Sequence, residues 1–289
     1  MRRKLFERFV ERAIFLSGIA AVILVVLIFV FLLKESIAFF SQVNFFTTLF
    51  NKDWYPISEP PKFGFLPLIL GSVFVTFGAI VIAVPFGVAA AIYISEVAPS
   101  RIKDILKTGI ELLAAIPSIV LGFIGIVALA PLIKYVFRLP SGLTALAGSI
   151  MLAFMAMPTI VSIVEDALTS VPKSYKEGSL ALGATHWQTI RRVILPAAFP
   201  GIVAAVMLGI GRVIGETMAV LMITGNAAIL PHSLLQPVRT LTATIAAEMG
   251  EVIQGSLHYY SLFGIGFVLF VITFFINLMA DMFLHRKRF

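Results

Sequence analysis

The sequence predicts an all-α membrane protein with six transmembrane helices, and three observations carry that prediction. The chain is 60% hydrophobic, and its mean hydropathy is +1.03. Only 13% of its residues are charged, against about 25% in an ordinary soluble domain. Uncharged apolar runs of span length recur along the chain, and Lys and Arg concentrate on alternate connectors between them. At 289 residues these runs make one transmembrane domain, 1–289, rather than a string of domains. Cysteine is absent, which excludes a disulfide framework, a Cys-ligated zinc site and a thiol nucleophile. The net charge of +7 raises the question of nucleic acid, but its placement along the chain points to membrane orientation instead.

The elements follow in order. Arg2, Arg3, Lys4, Arg8 and Arg12 precede the uncharged run Ala13 to Leu33, long enough for one span of about 20 residues. The run is longer than a signal-peptide core and no small-residue cleavage pattern follows it, so a retained first span is expected. Lys34 to Lys62 is a polar, aromatic connector with Trp54, Pro56, Pro60 and Pro61. Phe63 to Ser95 is longer than one untilted span needs, so its start, Phe63 to Pro67, is expected to run along the interface. A charged stretch, Glu96 to Glu111, leads to the third span, Leu112 to Ile133, with Pro117 expected to kink it. The fourth span is Ser141 to Val164, with Pro158 inside; neighbouring helices tolerate such kinks in membranes. The fifth runs from about Phe199 to Thr224, and the sixth from Ser261 to Leu284, before His285, Arg286, Lys287 and Arg288. Leu234 to Ile253 is too weakly hydrophobic for a span. A short helix with turns is expected there, on the outer face or dipping into the bundle, with Glu248 and Glu251 facing water.

Most of the 22 Lys and Arg lie at the N-terminus, in Glu96–Glu111, between spans four and five, and at the C-terminus. The alternate connectors hold Lys34, Lys52, Lys62, Lys134, Arg138 and Arg239. By the positive-inside rule, both termini and the connector between spans four and five are cytoplasmic, and an even number of spans agrees.

That connector, residues 165–197, carries its own folding instructions. Pro172 suits a first helical turn, because its missing N–H costs nothing there. Lys173 to Leu182 forms a short helix, and Gly183 stops it by taking the left-handed conformation. Thr185 is an N-cap with Gln188 as its capping-box partner. His186 to Leu195 makes a second short helix, with Arg191 and Arg192 favouring the dipole in its last turn. Pro196 is expected to end it. On these physical grounds alone the segment also fits an amphipathic hairpin lying at the headgroups. Its residues, however, resemble the cytoplasmic signature of ABC importer permeases: E-A-A, three residues, G, nine residues, I-x-L-P. Glu177, Gly183, Leu195 and Pro196 hold the matching positions, while Gly178 and Ser179 replace the alanines and Val193 the isoleucine. The resemblance implies that Glu177, Gly183, Thr185, Leu195 and Pro196 belong to a loop that couples to a partner ATPase subunit.

The fifth span contains Arg212 and Glu216, about one helical turn apart. Charge inside a span costs a few kcal/mol, about 2.5–3.5 for a central Arg on insertion scales. Two readings fit. One is a structural Arg–Glu pair that locks the helix. The other is an anion site, in which the planar guanidinium offers paired donors to oxyanion oxygens. A carboxylate beside it suits an anion that carries a proton: hydrogen phosphate can donate to Glu216, and sulfate cannot. Gly211 and Gly215 form a small-xxx-small pair, joined by Gly209, expected to let another helix approach closely.

The run Gly211 to Ala219, closing with Gly225-Asn226, is similar to the fifth-span pattern of phosphate ABC importer permeases of the PstC type. Phe63 to Pro67, Ala115 to Val120 and Leu241 to Ala246 match as well. The likeness extends from about Phe63 to the end, with a less distinctive first span. It implies a type I ABC importer (MetI-like) permease fold, with 1–62 as first span and outer connector and 63–289 as the core. It also implies a bacterial inner-membrane location, a PstA-like second permease subunit, two copies of a PstB-like ATP-binding subunit and a PstS-like periplasmic phosphate-binding protein. On this reading Arg212 and Glu216 bind the substrate, and ATP is used by the partner subunits.

Rival readings are a permease for another solute, a self-sufficient channel or secondary transporter, and a membrane anchor. A channel has no use for an ATPase loop, and an anchor has no use for intramembrane charge. The chain has no P-loop; Gly209 to Gly215 lacks the lysine and lies in a span. No catalytic residue, cofactor or metal site is expected, since His186, His232, His258 and His285 show no ligand spacing. Met207, Met218 and Met222 read as packing. Ser118 and Thr159, beside Pro117 and Pro158, are expected to bond their own helix backbones.

Overall fold

The computed structural model describes residues 2–285, with side chains described for 9–279 and for Met282. Arg286, Lys287 and Arg288, and the side chains of Arg2, Arg3, Lys4 and Arg8, lie outside the described residues. The chain is helical almost throughout. It begins with α1 (Arg2–Phe40) and α2 (Phe45–Phe50), then a two-stranded antiparallel hairpin, β1 (Trp54–Tyr55) with β2 (Lys62–Phe63). Next come α3 (Leu66–Ile92), α4 (Ser100–Ala114), α5 (Ser118–Ile124), α6 (Ala130–Phe137) and α7 (Ala145–Thr169). The remaining helices are α8 (Lys173–Ala181), α9 (His186–Thr189), α10 (Leu195–Ile214), α11 (Met218–Ile223), α12 (Leu241–Glu248) and α13 (Leu257–His285).

Among the described residues, six segments are long and apolar enough to cross a membrane: Phe9–Phe40, Leu66–Val97, Ser118–Phe137, Ala145–Thr169, His186–Ile214 and Leu257–Met279. The bundle has two cores. In the larger, α3 packs along α7, and α10 and α11 close over α7. Val75, Ala79, Leu152, Ile160, Val164, Ala205 and Ile223 are buried there. The alanines and glycines set the spacing: a Cβ built on Gly87 would come within 3.0 Å of Ile160, the close approach expected where membrane helices pack by small residues. The smaller core is aromatic. Phe39, Trp54, Phe63 and Phe65 gather with Leu241, Leu262 and Ile265 where α1, the hairpin, α12 and α13 meet. Phe39 and Phe65 stack at 5.9 Å between centroids, and Phe39 meets Phe63 edge-on at 5.3 Å.

Three expectations about where helices start and stop change. Pro117 does not kink a span. It stands as the N-cap of α5 in extended backbone, so α4 is a separate amphipathic helix and the third span begins at Ser118, not Leu112. The residue before a proline is disfavoured in the helical region, which accords with α4 ending at Ala114, ahead of Ile116-Pro117. Pro196 does not end the second loop helix. From His186 the chain stays helical to Ile214, because Ile190–Ile194 forms a π-turn before Pro196 sits in the first turn of α10. The wider turn makes room where a proline ring would otherwise meet the carbonyl four residues back. Finally, the fifth span breaks: α10 stops at Ile214, Gly215 is its C-cap, and α11 starts at Met218.

Candidate solute pathway and coupling loop

The break in the fifth span places both intramembrane charges. Arg212 lies in the last turn of α10, exposed, and its Nη1 is 3.4 Å from the Thr159 hydroxyl of α7. Thr159 therefore turns toward the guanidinium, not onto its own backbone as expected from sequence. Glu216 lies beyond the end of the helix, so the two charges do not share a continuous helical face. They form no ion pair among the described residues, so the locking pair that one of the two readings offered is not made here. Instead, Glu216 Oε1 accepts from the backbone N–H groups of Thr217 (3.1 Å), Met218 (3.1 Å) and Ala219 (3.3 Å). The carboxylate caps α11, where freed N–H groups and the helix dipole favour an anion. No described side chain bonds its second oxygen, Oε2.

The other loose ends of the break are closed by hydroxyls. Thr217 Oγ1 donates to the Gly215 carbonyl (3.2 Å), and Thr242 Oγ1 from α12 donates to the Glu216 carbonyl (2.8 Å). Thr240 in turn caps α12 through the Ala243 N–H (3.1 Å), and Ser72 Oγ accepts the Leu241 N–H (2.9 Å). Irregular backbone at membrane depth survives where such partners replace the helical ladder. The glycines divide. A Cβ on Gly209 would lie 2.9 Å from Ile160, so Gly209 seats α10 on α7. A Cβ on Gly211 would meet nothing within 4 Å, and one on Gly215 only the Gly211 carbonyl. That side of the break is open.

The loop after α7 folds as its residues dictate. Pro172 precedes α8, Gly183 takes φ +83°, and Thr185 and Gln188 form a reciprocal capping box. The Gln188 N–H reaches Thr185 Oγ1 at 3.3 Å, and the Thr185 N–H reaches Gln188 Oε1 at 2.9 Å. Glu177 and Pro196 are exposed and Leu195 is half-buried against the core. Tyr175, Leu182 and Trp187 also stand out into solvent, Leu182 with 91% of its surface free.

Two charged clusters escaped the sequence reading. Glu248, expected in water, is a hub with 17% of its side chain exposed. Arg239 Nη1 and Trp54 Nε1 donate to its Oε1, at 2.6 and 3.1 Å, and His258 Nε2 lies 2.8 Å from Oε2. Arg239 and His258 lie within ten residues of it but outside its own helix, and Trp54 comes from the far hairpin, so no helical spacing signals the cluster. At the opposite end, Glu165 of α7 is 5% exposed between Lys103 (2.9 Å) and Lys107 (3.0 Å) of α4. Its carboxylate pushes the Lys107 ammonium above the ordinary lysine value. An i, i+4 lysine pair on an amphipathic helix was the available signal.

Residues 83–289 match the family described as binding-protein-dependent transport system inner membrane component. A probable ABC transporter permease protein, YqgH, of Bacillus subtilis is 45% identical over 86% of this chain and 79% of its own length. A phosphate transport system permease protein, PstC, of Mesorhizobium japonicum is 38% identical over 83% of this chain and 79% of its own. Among solved structures, an inward-facing MetNI methionine ABC transporter superposes with a TM-score of 0.62, covering 80% of this chain and 99% of that one at 20% identity. A bacterial alginate ABC importer gives 0.66 over 99% of this chain and 100% of that one at 15% identity. These two likenesses concern the fold.

Proposed function

The chain belongs to the family of binding-protein-dependent transport system inner membrane components, as a multi-pass ABC permease subunit, and from that we propose that it carries inorganic phosphate. In this reading it takes phosphate from a PstS-like periplasmic binding protein. With a PstA-like second permease subunit it encloses the pathway, and two PstB-like subunits hydrolyse ATP at the cytoplasmic loop. Phosphate then passes by alternating access. Both termini and the loop 165–197 face the cytoplasm.

The observation that carries the substrate reading is Arg212. It is a permanent cation beside a break in a span, with a single long hydrogen bond to Thr159 among the described residues. Its remaining donors suit two oxygens of one oxyanion. Glu216 completes the chemistry: Oε1 is held by three backbone N–H groups, which leaves Oε2 to accept the proton of hydrogen phosphate. Sulfate brings no such proton and meets repulsion at Glu216. The open Gly211 and Gly215 side is where the second permease subunit completes the site.

Labelled phosphate uptake into vesicles holding the assembled complex, with and without internal ATP, tests the proposal. The expected result is ATP-dependent uptake that excess phosphate competes away and excess sulfate does not. Uptake without ATP, or equal competition by sulfate, overturns it.

A further inference from the structure

Within the loop 165–197, Ile190 and Ile194 are buried in the core, but the first loop helix, α8, has no buried residue. In α8 only Lys176 and Ser179, one turn apart, are half-buried; Tyr175, Glu177 and Leu180 all face out. Two side-chain contacts leave this helix among the described residues. Ser179 Oγ meets Thr189 Oγ1 at 3.0 Å, which joins α8 to the second helix of its own loop and so, through continuous helix, to the fifth span. Lys176 Nζ meets Glu96 Oε2 at 2.6 Å, and Glu96 belongs to the far end of the second span. The Glu96 carboxylate is 8% exposed and sits on a π-turn, Tyr93–Val97, with Ser95 Oγ 3.3 Å from its other oxygen. A carboxylate so enclosed requires a partner, and Lys176 supplies it.

The two contacts lead to one place. The second span lies along α7, where Gly87 comes against Ile160. The fifth span also rests on Ile160, through Gly209. Ile160 is fully buried and is the chain neighbour of Thr159, which holds Arg212. Close-packed interiors transmit displacement rather than absorb it. A shift of α8 therefore reaches the Arg212 side of the bundle along two routes, one covalent through α9 and one electrostatic through Glu96.

We propose that the Lys176–Glu96 ion pair is a second arm of the coupling device: it positions the docking helix and carries its movement to the second span. This rests on reading residues 165–197 as the ATPase-docking loop. Neither residue touches the solute. The arm explains why a lysine in an otherwise outward-facing helix turns inward.

Charge exchange in the full complex tests it. Lys176→Glu and Glu96→Lys should each lower ATP-driven uptake about tenfold or more while the ATPase subunit still co-purifies and basal ATP hydrolysis persists. The double exchange, Lys176→Glu with Glu96→Lys, should restore most of the uptake. Where a reversal blocks assembly, Lys176→Gln and Glu96→Gln replace it. The neutral double variant should then be no worse than either single one, as expected for residues acting as a unit. Single variants with native uptake, a double exchange without recovery, or neutral changes whose effects multiply all overturn the arm. Loss of ATPase co-purification in Lys176→Gln alone would make Lys176 a docking contact, which also overturns it but leaves the loop reading intact. If a complete alanine replacement of Tyr175, Leu180 and Leu182 leaves the ATPase bound, the loop reading itself fails, independently of the pair.

Discussion

Substitutions at Gly183 isolate one physical quantity, the cost of a left-handed backbone. Gly183 has φ +83°, and a Cβ built there would meet nothing within 4 Å. Size therefore does not matter at this position; conformation does. A non-glycine L-residue in this region costs roughly 1–2 kcal/mol, Asn less and a β-branched residue more. The order of damage should be Asn, then Ala, then Val. If the turn must form for the ATPase to dock, the affinity of the ATPase subunit for the complex falls by up to the same free energy. At 1.4 kcal/mol per decade, that is up to about 5-fold for 1 kcal/mol and about 30-fold for 2. The assay is titration of the ATPase subunit onto the membrane complex, read as stimulated ATP hydrolysis. Thermal unfolding of the spans should not move, because Gly183 touches none of them. Equal loss in all three variants would mean that a side chain collides with the partner, not that the backbone resists. No loss in any of them would remove the turn from docking altogether.

Glu216→Gln keeps a carbonyl oxygen to cap α11 but removes the charge, whereas Glu216→Ala removes both. Phosphate uptake should fall in both variants and discrimination against sulfate should weaken in the Gln variant. Only Ala should also destabilise the subunit, by about 1 kcal/mol, measurable as a lower unfolding temperature in detergent. Glu248→Gln leaves Arg239 without its carboxylate and sets an amide against two donors. A destabilisation somewhat below the roughly 3–5 kcal/mol for breaking a fully buried pair is expected, since the groups are partly exposed; denaturant unfolding measures it. Reporter fusions should read the region after Leu284 as cytoplasmic and the hairpin near Trp54 as outside; a cytoplasmic Trp54 would contradict the charge-based orientation.

The six spans were legible because hydropathy at span length is a property of consecutive residues. The loop 165–197 was legible for the same reason: Pro172, Gly183, Thr185 and Gln188 act over one or two turns, and each takes the place its chemistry implies. Helix ends within the membrane were less so. Pro117 and Pro196 look alike in sequence, yet one starts a helix and the other is carried inside one by a preceding π-turn. Spacing placed Arg212 and Glu216 on one face only if the helix continued. Gly215 and the affinity of the Glu216 carboxylate for freed N–H groups break it between them. Thr242, which braces that break, Trp54 at Glu248 and Lys176 at Glu96 are brought in by tertiary packing from beyond the local segment. No local periodicity records such contacts.

The role proposed for Arg212 is to recognise phosphate for an ATP-driven importer. The most direct measurement is phosphate uptake by ATP-loaded vesicles containing the assembled complex, with Arg212, Arg212→Lys or Arg212→Gln. Gln should abolish uptake and Lys should restore little, because an ammonium lacks the paired planar donors. Native uptake by the Gln variant in a correctly assembled complex would contradict it.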